Sequence, residues 1–197
     1  MDLIVLATSN EGKARELSNL LHGLARRLEF LRAHPEIELP PETGSTYREN
    51  ALAKARSVHD ALRVPALGDD SGLEVDALQG APGLHSARYA GPNATDRANV
   101  DRLLLALKGT PPHERSARFR CVLALVGASD TPLVVEGICE GKILGEPRGA
   151  AGFGYDPVFV PKGETLTFAE LTSERKALLG HRGRAALALR KILDTGH

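Results

Sequence analysis

The sequence predicts an α/β fold built on a mixed β-sheet with flanking helices. Apolar runs of strand length (residues 3–7, 117–126 and 133–143) alternate with segments whose leucines recur at helical spacing. The two kinds of segment mix without the strict strand–helix–strand repetition of a doubly wound parallel sheet. The chain has 197 residues and is 42% hydrophobic, enough to enclose a sizeable core.

Taken in order, residues 3–7 read as a buried strand. Ser9 or Asn10 caps the helix that follows, and Leu17, Leu20, Leu21 and Leu24 form its apolar face. Residues 28–31 read as a short second strand. Pro35, Pro40 and Pro41 keep residues 34–43 in a loop. Thr46 and Glu49 have capping-box spacing and open a helix to about Leu62, with Leu52, Ala55, Val58 and Leu62 as its stripe. Residues 64–67 and 73–75 read as two strands. Between them Gly68-Asp69-Asp70-Ser71-Gly72 reads as a tight loop. Thr95 caps a helix carrying Val100, Leu103, Leu104 and Leu107, which Gly109-Thr110-Pro111-Pro112 stops. Residues 117–126 and 133–143 suit a hairpin. A glycine-rich loop at 145–156 precedes a short strand at 158–160. Thr167 and Glu170 form a second, small capping box, and a short helix covers 173–179. The last helix runs from near Gly183 to near Leu193. No repeat, low-complexity tract or linker interrupts residues 1–197, which read as a single domain.

Composition narrows the function. The 25 basic and 25 acidic residues give a formal net charge of zero, which argues against a nucleic-acid polymer as partner. A single nucleotide needs only a local basic pocket. Cys121 and Cys139 sit in apolar runs and read as buried free thiols, suiting a reducing compartment. The first apolar run is too short for a signal-peptide core and lacks a basic leader, and no run reaches membrane-span length. A cytoplasmic protein without a membrane partner is expected. His-Glu-x-x-His, Cys-x-x-Cys and Gly-x-Ser-x-Gly are absent. His22, His34, His59, His113 and His197 have no partner spacing, and His85 is a weak loop candidate.

Several segments can carry chemistry. Asp69 and Asp70 place two carboxylates together, which a divalent cation such as Mg²⁺ would relieve, although Asp and Gly also make ordinary turns. Thr8-Ser9-Asn10-Glu11-Gly12-Lys13 joins the first strand to the first helix, so free N–H groups and a lysine face whatever binds there, an arrangement suited to phosphate. Its bland alternative is an ordinary cap with an exposed lysine. Glu42 lies in a loop before a capped helix, as a metal ligand or a solvated acid. Phe153 and Tyr155 stand in a glycine loop where a ring could stack on a base or tuck into the core. Arg175, Lys176, His181, Arg182 and Arg184 crowd basic groups together, and Gly180 and Gly183 suggest that His181-Arg182 is a presented loop.

The ordered motifs Ala7-Thr8-Ser9-Asn10-x-x-Lys13-x-x-Glu16, Glu42-Thr43-Gly44, Asp69-Asp70-Ser71-Gly72-Leu73, Gly80-Ala81-Pro82-Gly83, Ser86-Ala87-Arg88-Tyr89, Gly152-Phe153-Gly154-Tyr155-Asp156-Pro157, Glu170-Leu171, Lys176 and His181-Arg182-Gly183 span nearly the whole chain. In that order they resemble the inosine triphosphatase family, the dITP/XTP pyrophosphatases. The resemblance implies an elongated mixed sheet with flanking helices, two lobes around a central nucleotide cleft, and a homodimer. It implies Mg²⁺-assisted hydrolysis of 6-keto purine nucleoside triphosphates to monophosphate and pyrophosphate. Thr8, Ser9, Asn10, Glu11, Gly12 and Lys13 would hold the triphosphate. Glu42 and Asp70 would serve the metal, and Asp70 would also accept the proton, with Asp69 in support. Ser71 would contact substrate. Phe153, Gly154, Tyr155, Asp156, Lys176, His181 and Arg182 would hold the nucleotide and read its base. The chain departs from the family at Gly180, where Ser usually precedes His-Arg-Gly. Residue chemistry alone leaves open how Asp69 and Asp70 divide their roles. Two rival readings are a catalytically silent nucleotide-binding module and a pyrimidine-triphosphate pyrophosphatase of related fold.

Overall fold

The computed structural model describes residues 1–195; His197 lies outside them. In chain order the elements are β1 (Leu3–Ala7), α1 (Glu11–Leu20), β2 (Arg27–Phe30), α2 (Tyr47–Leu62), β3 (Ala66–Val75), α3 (Asp96–Ala106), β4 (Ser116–Val126), β5 (Leu133–Ile143), β6 (Phe159–Pro161), α4 (Ser173–Leu179) and α5 (His181–Asp194). The sheet order is β2-β1-β3-β4-β5-β6. β1 pairs in parallel with β2 and β3, whereas β5 pairs antiparallel with β6, so the sheet is mixed as expected.

The residues fall into two compact units. The first comprises Met1–Asp70, Cys121–Gly137 and the chain from Arg182; the second comprises Ser71–Arg120 and Ile138–His181. In the first unit, strand alternation sorts side chains onto two faces. Ile4, Leu6 and Leu67 pack with Leu17 and Leu21 beside α1, and with Ala185, Ala186 and Leu189 of α5. Val5, Ala7 and Ala66 pack with Val58 of α2. The second unit has its own core, in which Leu73, Val75, Val100, Leu103, Phe119, Phe159 and Phe168 are buried together.

Helix starts follow the caps read from sequence. Asn10, Thr46 and Thr95 each accept an N–H three residues on. The reciprocal arm of the box at Thr46 differs: the Glu49 carboxylate accepts from Ser45 N and Ser45 Oγ. The Thr167–Glu170 pair closes a turn and no helix, with Thr167 N donating to Glu170 Oε2.

Two expectations are corrected here. Residues 64–67 and 73–75 are not separate strands around a tight loop: Gly68 to Gly72 lie inside the single strand β3. Gly68 is there for close packing, because a Cβ at this position would collide with the Ala51 carbonyl of α2. The last helix begins at His181, two residues before Gly183, so His181 and Arg182 occupy its first turn and are buried, not presented on a loop.

Gly68→Ala should destabilise the protein by about 1–3 kcal/mol, since the added methyl must displace helix backbone. Thermal or urea denaturation checks this; a variant as stable as the parent would contradict the packing role.

Candidate active site

The placement of Asp69 and Asp70 inside β3 sends their side chains to opposite faces of the strand. Asp69 is fully buried on the α1 and α5 side. Its Oδ1 lies 2.8 Å from Lys13 Nζ, and its Oδ2 lies 3.4 Å from Arg182 Nε. The Cys121 thiol of β4 donates to the same Oδ2 at 3.1 Å. Burial alone would push the Asp69 carboxyl up. Lys13 and then Arg182 overcome it and hold the group well below the usual carboxylate range. Arg182 is itself anchored by Glu16 of α1 at 2.9 Å.

Asp70 faces α2. Asn50 Nδ2 donates to its Oδ2 at 3.1 Å, and Lys54 Nζ donates to its Oδ1 at 3.2 Å. Asn50 and Lys54 stand one turn apart on the buried face of α2. Asn50 Oδ1 accepts from Gly44 N at 2.9 Å, which ties down the loop carrying Glu42. Glu42 Oε1 then meets the same lysine at 2.9 Å. Burial pushes the Asp70 carboxyl above its ordinary value; Lys54 and Lys13 oppose the rise and Glu42 adds to it. Lys54, only 5% exposed, is driven down by burial and driven up further by Asp70 and Glu42, with a net rise.

Glu42 and Asp70 suit a hard cation. Two carboxylate oxygens from different elements already converge on one positive charge, the Lys54 ammonium. Among the described residues no group of three or more His, Cys, Asp or Glu is placed to hold a metal. Two carboxylates fit Mg²⁺ better than an all-protein cage would, because Mg²⁺ keeps water and substrate phosphates in its shell.

The segment Thr8 to Lys13 makes the turn from β1 into α1. The Thr8 hydroxyl, buried, accepts from Asn10 N at 3.2 Å, and Asn10 Oδ1 accepts from Lys13 N at 2.9 Å. The first-turn N–H groups at Glu11 and Gly12 have no carbonyl partner within the helix and point outward from its positive end. Lys13 lies beside them, its ammonium steered by Asp69.

The second unit gathers a different set. The Asp156 carboxylate accepts from Phe153 N at 2.9 Å and from Lys176 Nζ at 2.5 Å. Gly152, at φ 80°, lets the chain fold over that carboxylate; any Cβ there would strike it. Gly154 N donates to Asp96 at the start of α3. The Lys176 ammonium stands 5.0 Å from the centre of the Phe153 ring. Phe153 is half-buried, whereas Tyr155 is buried and donates its hydroxyl to Ser86 O at 2.8 Å. The stacking reading is therefore corrected for Tyr155, whose ring belongs to the core. His181 is buried and stacks on Phe119, ring centroids 4.7 Å apart. Ser71, half-buried, also belongs to this unit.

Asn50, Lys54 and Cys121 lie outside the sequence motifs, and Glu16 lies in one without an assigned role. Asn50 and Lys54 left a usable trace: two polar residues one turn apart, each followed by the alanine of a buried stripe. Cys121 left none, since a thiol in an apolar strand reads as core.

A family profile described as the Ham1 family matches residues 4–192. The chain is 48% identical to a dITP/XTP pyrophosphatase of Vibrio cholerae, with 98% of each chain covered. It is 45% identical to a dITP/XTP pyrophosphatase of Escherichia coli K12 over the full length of both. Among solved structures it resembles a HAM1 protein from Coxiella burnetii, with TM-score 0.86 and 42% identity over all of both chains. It also resembles a nucleoside-triphosphatase / dITP/XTP pyrophosphatase from Mycobacterium abscessus, with TM-score 0.76 and 43% identity over 97% of this chain and 99% of that one.

Asp69→Asn leaves Lys13 and Arg182 facing a neutral amide and should cost about 3–5 kcal/mol of stability at pH 7. A depressed carboxyl contributes stability above its unfolded value of about 3.9, lost as pH falls through the lower folded value. The stability gap between parent and variant in urea denaturation should therefore narrow between pH 7 and pH 3. A gap that widens on acidification would contradict this assignment.

Proposed function

This chain belongs to the Ham1 family, and on that premise we propose that it is a nucleoside-triphosphate pyrophosphatase. It hydrolyses the non-standard purine nucleotides dITP, ITP and XTP to the monophosphate and pyrophosphate, and so keeps them out of DNA and RNA. One observation carries the mechanistic reading: Glu42 and Asp70, brought from separate elements, converge on one buried positive charge. A silent binding module has no use for that arrangement.

The triphosphate is assigned to the turn from Thr8 to Lys13. The N–H groups at the start of α1 and the Lys13 ammonium offset its charge, which must be neutralised before water can approach the α-phosphorus. Asp69 does not touch the reaction in this reading. It keeps Lys13 aimed, and Arg182 holds Asp69 in turn. Mg²⁺, when bound, would be held by Glu42 and Asp70 and would offset phosphate charge and favour attack by water. Asp70 accepts a proton from the attacking water while its oxygen bonds to the α-phosphorus. The bond to the bridging oxygen breaks, and pyrophosphate leaves.

The nucleoside is assigned to the glycine-rich loop and its neighbours. Phe153 offers a half-buried face, with Gly154, Tyr155 and Asp156 shaping its turn and Lys176 adding a positive charge. Ser71 contacts the substrate. His181, held flat on Phe119, is the proposed donor to the 6-keto oxygen. An adenine amino group in that place would leave the donor unmatched, at about 1–3 kcal/mol. Arg182 is given to the Asp69 cluster rather than to the base. A homodimer and a cytoplasmic location complete the proposal. The buried free thiols of Cys121 and Cys139 suit that compartment, and among the described residues no helix is long and apolar enough to cross a membrane.

Incubation with ITP and Mg²⁺ should yield IMP and pyrophosphate. Orthophosphate as product, equal turnover of ATP, or preference for a pyrimidine triphosphate would overturn the assignment. Asp70→Asn should remain folded and lose about 10²–10⁴-fold in kcat. Single-turnover kinetics near the parent rate would remove Asp70 from its role.

A further inference from the structure

Lys54 holds one oxygen from each of the two carboxylates that the proposed function gives to the metal. Its Nζ lies 2.9 Å from Glu42 Oε1 and 3.2 Å from Asp70 Oδ1. The lysine is 5% exposed, and it rises from the buried face of α2 between Ala51 and Ala55, both inaccessible. The pairing is therefore no surface accident. Asn50, one turn earlier, fixes both the other Asp70 oxygen and the loop of Glu42. A divalent cation needs those carboxylate oxygens at about 2.0–2.1 Å. An ammonium and a divalent cation cannot both sit between the same oxygens, since like charges at such separation repel strongly in a buried site.

We propose that Lys54 is a built-in counter-ion that competes with the metal, so that the site takes up divalent cation poorly by itself and well only together with a polyphosphate. This rests on the reading of Glu42 and Asp70 as metal-binding. The flexible four-carbon stem lets the ammonium leave the carboxylates when the metal arrives. The displaced charge then needs an anion, and a triphosphate supplies one. Metal and nucleotide thereby favour each other's binding, a coupling that is reciprocal by linkage. Lys54 also prevents two buried carboxylates from facing each other uncompensated while the site waits.

The test uses Mg²⁺ alone with nucleotide-free protein, read by titration calorimetry and by the Mg²⁺-dependent rise in melting temperature. Lys54→Met should bind Mg²⁺ at least about tenfold more tightly than the parent, because the competing charge is gone. The double variant Lys54→Met, Glu42→Gln should lose that gain. Lys54→Gln, whose amide still donates to a carboxylate, keeps the comparison readable if the methionine variant does not fold. Unchanged Mg²⁺ affinity in the Lys54 variants would overturn the proposal, as would a gain that survives the Glu42 substitution. No nucleotide enters the titration. Failure to hydrolyse ITP would therefore count against the proposed function while leaving this result readable.

Discussion

Two adjacent carboxylates are buried in the middle of a strand, and most of the first unit is arranged to make that tolerable. An ionised carboxylate taken out of water costs several kcal/mol unless it is paired and hydrogen-bonded. Neighbours in a strand meet different partners at contact distance, because their side chains leave from opposite faces. Asp69 and Asp70 therefore each need their own cation from their own side. Lys13 and Arg182 answer for one, Lys54 for the other.

That division also separates two tasks. The Asp69 side is fully buried, with Lys13, Arg182 and Cys121 around the carboxyl and the group held firmly ionised. It behaves as an anchor that aims Lys13. On the Asp70 side, that carboxylate and a second acid from a loop share a single lysine, which leaves one negative charge in excess. It is the side on which the proposed function would place a cation.

Much of the local structure was legible. The caps at Asn10, Thr46 and Thr95 work as read, because a hydroxyl or amide meeting an N–H three residues on is a purely local event. The glycines around the Asp pair misled. Gly68 looks like a turn residue from its neighbours, but its reason lies in Ala51, far along the chain on a packed helix. Gly183 misled in the same way, since α5 runs through it. Tyr155 and Phe153 look alike in sequence, and only the carbonyl of Ser86 decides that the tyrosine turns inward.

The sequence by itself determined the α/β class, the starts of α1, α2 and α3, the family, and the residue types from which the proposed site is made. These depend on local spacing, composition and ordered motifs, all of which are written along one chain. The tertiary structure alone decided how Asp69 and Asp70 divide. It showed that one is locked between Lys13 and Arg182 and that the other shares Lys54 with Glu42. That outcome depends on which faces of β3 meet which helices. A pairing across tens of residues is set by packing in three dimensions, where Asn50 and Lys54 on one face of α2 matter as much as the acids they serve.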